Sequence, residues 1–225
     1  MMLNAKDILA WDTVTWSLCL NLWRNHVAGS NLRCLELGCG PGTVSLWLAS
    51  QGHSVMCTDL NGPRSEVVEL HRARGVSDRL DYRAVDATAM CFEAEFDVVV
   101  TKSVLGGIWM HCGQTAVCRV AQGIRRALKP GGKWLFGENL RASAAHMFAR
   151  RVLLRRAGKE WYYPAIAEML PLFDGFADLG YKTGGFLGAF GRTEWQRRAL
   201  GYVDKALVPA LPVSWRYLMA GVATR

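Results

Sequence analysis

A chain of 225 residues, half of them hydrophobic, is long enough for one sizeable core and short for two independent ones. No stretch approaches the roughly 20 uninterrupted apolar residues of a membrane span, and no basic segment followed by a continuous apolar one opens the chain, so a cytoplasmic protein is expected. A formal net charge of +8 keeps nucleic acid, phosphorylated substrates and membrane surfaces in consideration, whereas seven cysteines without a Cys-x-x-Cys pair argue against disulfides and structural zinc.

Between Asn4 and Val27, the residues Ile8, Leu9, Trp11, Val14, Leu18, Leu22 and Trp23 recur at helical spacing. One or two amphipathic helices are expected there, placed to cover a ligand pocket. The apolar run Leu32 to Leu37 follows, then the loop Glu36-Leu37-Gly38-Cys39-Gly40-Pro41-Gly42 and an amphipathic run from Thr43 to Ala49. Glycine lets a strand turn sharply into a helix and brings backbone N–H groups close to a ligand. Two ligand chemistries use such a loop, a dinucleotide through Gly-x-Gly-x-x-Gly or S-adenosylmethionine. Counting from Gly38, the third glycine position holds Thr43, so the dinucleotide pattern fails where a pyrophosphate needs close approach.

Strand-like and helix-like runs then alternate: Ser54 to Asp59, Arg64 to Arg74, Leu80 to Asp86, Phe96 to Thr101, Gln114 to Leu128 and Lys133 to Glu138. Gly52-His53 and Lys129-Pro130-Gly131-Gly132 punctuate returns from helix to strand. Such alternation predicts an α/β fold with a mostly parallel sheet covered on both faces. Beyond Glu138 come a basic helix over about Ala142 to Arg156, a loop through Trp161-Tyr162-Tyr163-Pro164 and a helix to Phe173. The runs Tyr181 to Phe190 and Trp215 to Ala223, separated by a further helix, are expected to form a closing antiparallel pair. The arrangement reads as one domain: a helical cap over 1–30, a ligand-binding core over 31–140, and substrate-side helices with closing strands over 141–225.

Three acids fall at successive strand ends: Glu36, Asp59 and Asp86. Ligands of open α/β sheets sit beyond the carboxyl ends of the strands, and a carboxylate after the second strand can accept from two ribose hydroxyls. With these residues in view, the chain resembles the class I S-adenosylmethionine-dependent methyltransferases. The resemblance runs through Leu35 to Gly42, Cys57-Thr58-Asp59, Val85-Asp86-Ala87, Phe96 to Val100 and Leu128 to Lys133. It implies a Rossmann-like sheet of seven strands with the last antiparallel, and S-adenosylmethionine as cofactor. It also implies that Gly38, Cys39, Gly40 and Gly42 underlie the methionine part, with Glu36 near its ammonium. Asp59 and Leu60 would meet the ribose end, Asp86 and Ala87 the adenine, and Lys102 the border between methyl group and acceptor.

Methyl transfer is an in-line displacement at a carbon already activated by its sulfonium, so the protein supplies alignment and no metal is required. A hydroxyl acceptor needs a base within hydrogen-bond reach. His111, Glu138 and His146 follow the fourth and fifth strands, and Glu138 and His111 are placed first as catalytic candidates. Lys102 to Gly107, Glu138 to Leu140 and Gly185 to Arg192 resemble a branch of the family associated with bacterial surface-polysaccharide biosynthesis. That implies a small-molecule or glycan hydroxyl as acceptor, with Arg141 to Lys159 pairing with a phosphate or resting on anionic lipid. The net charge favours a rival, an RNA methyltransferase, but no Asn-Pro-Pro-Tyr-like signature supports it. A third reading is a non-catalytic cofactor-binding partner protein.

Overall fold

The computed structural model describes residues 3–29, 31–154 and 161–225. Two helices come first, α1 (Ala5–Leu9) and α2 (Thr13–Trp23). Asn4 starts α1 by accepting from the N–H groups of Lys6 and Asp7, while Asp7 accepts from Asn4 N–H. Then follow β1 (Arg33–Leu37), α3 (Thr43–Ser50), β2 (Ser54–Asp59), α4 (Ser65–Ala73), β3 (Leu80–Ala84) and β4 (Phe96–Lys102). The chain continues through α5 (Leu105–Ala127), β5 (Leu128–Asn139), α6 (Ala144–Leu154), a short α7 (Ile166–Met169), β6 (Asp178–Gly184), α8 (Glu194–Leu207) and β7 (Leu218–Thr224).

The seven strands form one sheet in the order β3-β2-β1-β4-β5-β7-β6, in which β7 alone runs antiparallel to its neighbours. This is the α/β sheet expected from the alternation. Cys34 to Leu37 are buried without interruption because helices cover both faces. Successive side chains feed two cores: Leu35, Val99 and Phe136 join α5 through Val117, Val120 and Ile124, whereas Cys34, Val98 and Leu135 join Trp16, Trp23 and Trp47. Trp23 also donates its indole N–H to Gly221 O at 3.2 Å, so its burial leaves no polar atom unpaired. Truncating Trp16 or Trp23, both fully buried, costs about 3–5 kcal/mol.

Some boundaries differ from the sequence reading. The stretch Gly106 to Gly113, which lies before the helix expected from Gln114, is the first part of α5, and Gly113 (φ 77, ψ 177) breaks the helix where that run was expected to begin. β6 starts at Asp178 and stops at Gly184, because the N–H groups of Phe186, Leu187 and Gly188 bond to the Asp204 carboxylate and not to a strand. Arg155, Arg156 and Lys159 of the basic segment lie outside the described residues. β1 lies between β2 and β4, so the chain leaves it in one direction and later returns on its other side. The crevice at the carboxyl ends of β1 and β4 is the place where such sheets bind ligands.

Candidate active site

At the exit of β1, Gly38, Gly40 and Gly42 all adopt positive φ, +67°, +49° and +72°. Packing explains two of them. A Cβ on Gly38 would lie 2.8 Å from Val104 Cγ2, and one on Gly42 would lie 2.3 Å from Val67 Cγ1. At Gly40 nothing lies within 4 Å of that position, so this glycine borders open space.

The loop is tied from three sides. Cys39 N–H donates to Thr58 O at 2.8 Å, and Thr58 Oγ1 donates to Glu36 O at 2.7 Å, locking β1 to β2. His71 of α4 reaches Gly42 O with Nε2 at 2.8 Å and Tyr82 Oη with Nδ1 at 3.0 Å. A carbonyl only accepts, so Nε2 carries the proton and Nδ1 accepts from the phenol. Burial lowers the His71 pKa and keeps the ring in this neutral form. The sequence reading missed His71, although its place four residues after buried Val67 on amphipathic α4 marks it as inward-facing. From the third side, Thr43 Oγ1 donates to Ile8 O at 2.6 Å, docking α1 on the start of α3.

The three acids hold different positions. Asp59 accepts from Gly40 N–H at 3.1 Å and from Leu60 N–H at 2.9 Å, which aims its carboxylate across the glycine loop with lone pairs to spare. Leu60 beside it is 62% exposed, an apolar side chain available to cover a flat ring. Asp86 lies two residues past β3, where Oδ1 caps a single helical turn through the N–H and hydroxyl of Thr88, both at 2.8 Å. Those Thr88 bonds lower its pKa. Val85 N–H donates to Asp59 O at 3.0 Å, which sets Asp86 and half-buried Ala87 beside the end of β2. Glu36 is buried, its Oε2 accepting from the N–H and hydroxyl of Ser45 in the first turn of α3. Burial pushes its carboxyl up to about 7 while Ser45 pulls it back.

Lys102 ends β4 half-buried, with Nζ 5.0 Å from the centre of the Trp16 ring and no hydrogen bond among the described residues. Burial lowers its pKa, against the pull of Cys19, Glu36 and Glu138. Ser103 turns the chain with φ +54°, held by Gly137 O through its N–H and by Asn139 Nδ2 through its hydroxyl. Trp161 covers the start of α5 so closely that a Cβ on Gly106 would lie 2.2 Å from its Nε1. Tyr162 stacks on Trp109, so this partly buried aromatic loop packs against the core.

The three base candidates separate clearly. Glu138 is buried, with Oε2 accepting from Val104 and Leu105 N–H at 3.1 and 2.9 Å and Oε1 from Asn139 N–H at 3.0 Å. It caps α5, and this explains why helix forms across Gly106 and Gly107. Burial raises its carboxyl to about 7 against these bonds, but both oxygens are already occupied by backbone donors. His146 is buried with Nε2 on Phe186 O and Nδ1 on Ser143 Oγ, each at 2.7 Å, so it too is engaged in structure. His111 is exposed on the first part of α5, with no hydrogen bond among the described residues.

Residues 34–132, from β1 through the glycine turn before Lys133, match a family described as Methyltransferase domain. This segment is similar to a methyltransferase domain. A curated relative, the ubiquinone biosynthesis O-methyltransferase of Leptothrix cholodnii, is 29% identical over 153 residues, covering 66% of this chain and 58% of its own length. The chain thus spans a little over half of that relative. Among solved structures, the phosphoethanolamine N-methyltransferase 2 of Haemonchus contortus in complex with S-adenosyl-L-methionine aligns with a TM-score of 0.63 at 19% identity, over 99% of this chain and 57% of that one. The 4+2 cyclase SpnF also aligns with a TM-score of 0.63, at 17% identity over 93% of this chain and 80% of its own. The seven-stranded methyltransferase fold therefore spans nearly the whole chain, and SpnF shows that the fold alone does not fix the reaction.

Proposed function

We propose that the chain transfers a methyl group from S-adenosylmethionine to a hydroxyl oxygen of a small-molecule acceptor. The observation that carries this reading is the Asp59 carboxylate held by Gly40 N–H over a glycine loop that is open at Gly40. S-adenosylmethionine is the cofactor, and when bound it supplies a methyl carbon activated by the sulfonium. Gly38 to Gly42 lie under its methionine part. Asp59 accepts from ribose hydroxyls with its remaining lone pairs, Leu60 covers a ring face, and Asp86 and Ala87 take the adenine edge. Glu36 fixes the loop to α3 and offers its other oxygen to the ammonium, while Lys102 borders the acceptor.

His111 is the proton acceptor in this reading, because Glu138 and His146 are engaged elsewhere while the exposed His111 ring makes no hydrogen bond among the described residues. The acceptor follows the O-methyltransferase relative at the level of the atom methylated. The glycan hydroxyl is the finer form, supported by the resemblance of the Lys102 to Gly107 and Gly185 to Arg192 stretches.

Calorimetric titration with S-adenosylmethionine and S-adenosylhomocysteine, with NAD and NADP as controls, tests the cofactor. Transfer of labelled methyl to phenols, sugars and RNA then tests the acceptor. Micromolar binding of the first pair and label on a hydroxyl are expected. Binding of neither cofactor form, with or without acceptor, sinks the proposal.

A further inference from the structure

Helix α8 turns its small and polar side inward and its apolar side outward. Gly201 lies against α2, where a Cβ would come 2.9 Å from Val14 Cβ, and Asp204 holds the N–H groups of Phe186 to Gly188. Trp195, Ala199, Tyr202, Val203 and Ala206 recur at i, i+4, i+7, i+8 and i+11, which aligns them along one face of a helix. All five are exposed, Trp195 to 77%, Tyr202 to 55% and Val203 to 54%. An outward apolar stripe of this kind marks a contact with something outside the chain.

The charge around the stripe has one sign. Arg192 and Lys205 are exposed and Arg198 half-exposed, whereas the two acids of the helix are turned inward. Asp204 is engaged as above, and Glu194 accepts from the N–H groups of Asp12 and Thr13 and the Thr13 hydroxyl. A groove of about 520 Å³, lined by Phe190, Arg192, Trp195, Ala199 and Leu200, opens at the start of the helix. α6 packs on the same turn, with the His146 ring 4.6 Å from that of Phe190, and it exposes Phe148, Arg151 and Val152.

We propose that α8 is a docking face for an anionic lipid bilayer. Aromatic and aliphatic side chains of an interfacial helix enter the boundary between headgroups and acyl chains, and flanking cations meet the phosphates. A second copy of the chain fits less well, since a two-fold contact would set Arg192, Arg198 and Lys205 against themselves. A nucleic acid would satisfy these cations but give Ala199, Val203 and Ala206 no apolar partner.

Flotation of the full chain with vesicles of phosphatidylcholine, alone or mixed with phosphatidylglycerol, at low and high salt, tests the assignment. Binding to the mixed vesicles that weakens with salt is expected. Trp195→Ser combined with Tyr202→Ser should abolish it, and Arg198→Gln and Lys205→Gln should each lower it about fivefold. The substituted positions are wholly or partly solvent-exposed, and unchanged thermal unfolding of each variant verifies the fold. Absence of binding to mixed vesicles, or equal binding by the Trp195/Tyr202 variant, overturns the proposal. So does a dimer in light scattering that the same variant dissolves without any vesicle binding, or retention of RNA in place of vesicles.

Discussion

Tyr217, at the entrance to β7, donates its phenol hydrogen to Asp12 Oδ2 at 2.5 Å across a separation of 205 residues. Asp12 sits between α1 and α2 in the left-handed region, φ 46° and ψ 48°, and Glu194 of α8 holds its N–H at 2.7 Å. One buried carboxylate thus fastens the N-terminal helices to the last strand and, through its backbone, to α8. Its Oδ1 is buried without a partner among the described residues, which disfavours the charged form.

That burial raises the Asp12 pKa from 3.8 to about 6, against the lowering effect of its bonds to Tyr217 and Thr15. The folded state then holds a proton that the unfolded state releases earlier. The stabilisation is complete below the unfolded value and is lost as pH rises through 6. Asp12→Asn lacks this titration, so the native protein should lose up to about 3 kcal/mol relative to the variant between about pH 4 and pH 7. Urea unfolding at several pH values measures the difference, and parallel curves would remove Asp12 as the source.

Gly42 and Gly40 should respond differently to alanine. Gly42→Ala forces a Cβ to within 2.3 Å of Val67 at φ +72°, so a loss of about 3 kcal/mol in stability is expected. Gly40→Ala meets no atom, and only the left-handed backbone costs it, about 1 kcal/mol. Its added methyl instead enters open space over the loop, so cofactor affinity should drop while the fold persists. Thermal unfolding and calorimetry on both variants separate the effects, and equal behaviour in both assays would contradict this account of the loop.

Asp59→Ala removes the carboxylate that faces the cleft. S-adenosylhomocysteine binding should weaken by about 1–3 kcal/mol. Thermal stability should fall less, because Gly40 and Leu60 N–H, both near solvent, can bond to water. An unchanged affinity would take Asp59 out of the site.

The sheet and the glycine loop are legible in the sequence because they rest on local signals: apolar runs of strand length, and glycines where φ must be positive. The antiparallel closing pair is legible for the same reason, though not its bounds: past Gly184 the N–H groups of Phe186 to Gly188 go to Asp204, 16 residues or more away. Links such as Tyr217 to Asp12, Glu194 to Thr13 and His71 to Gly42 pair residues whose sequence neighbourhoods carry no mark of each other. Glu138 is a subtler case. Its position at a strand end suits either a base or a helix cap, and only the positions of Val104 and Leu105 N–H distinguish them.

Glu138 and His111 therefore give the decisive contrast. Glu138→Ala would leave the N–H groups of Val104, Leu105 and Asn139 without their acceptor in a buried place. Each orphaned donor costs about 1–3 kcal/mol, so the variant should unfold well below the native temperature and lose activity and cofactor binding together. His111→Ala removes an exposed side chain and should leave both the unfolding temperature and the cofactor Kd in place. If His111 takes the acceptor proton, kcat falls by roughly a hundredfold or more while cofactor affinity holds. Full activity in His111→Ala would move the proton to water or to the acceptor itself. A folded Glu138→Ala protein that binds cofactor but fails to transfer methyl would restore Glu138 as the base.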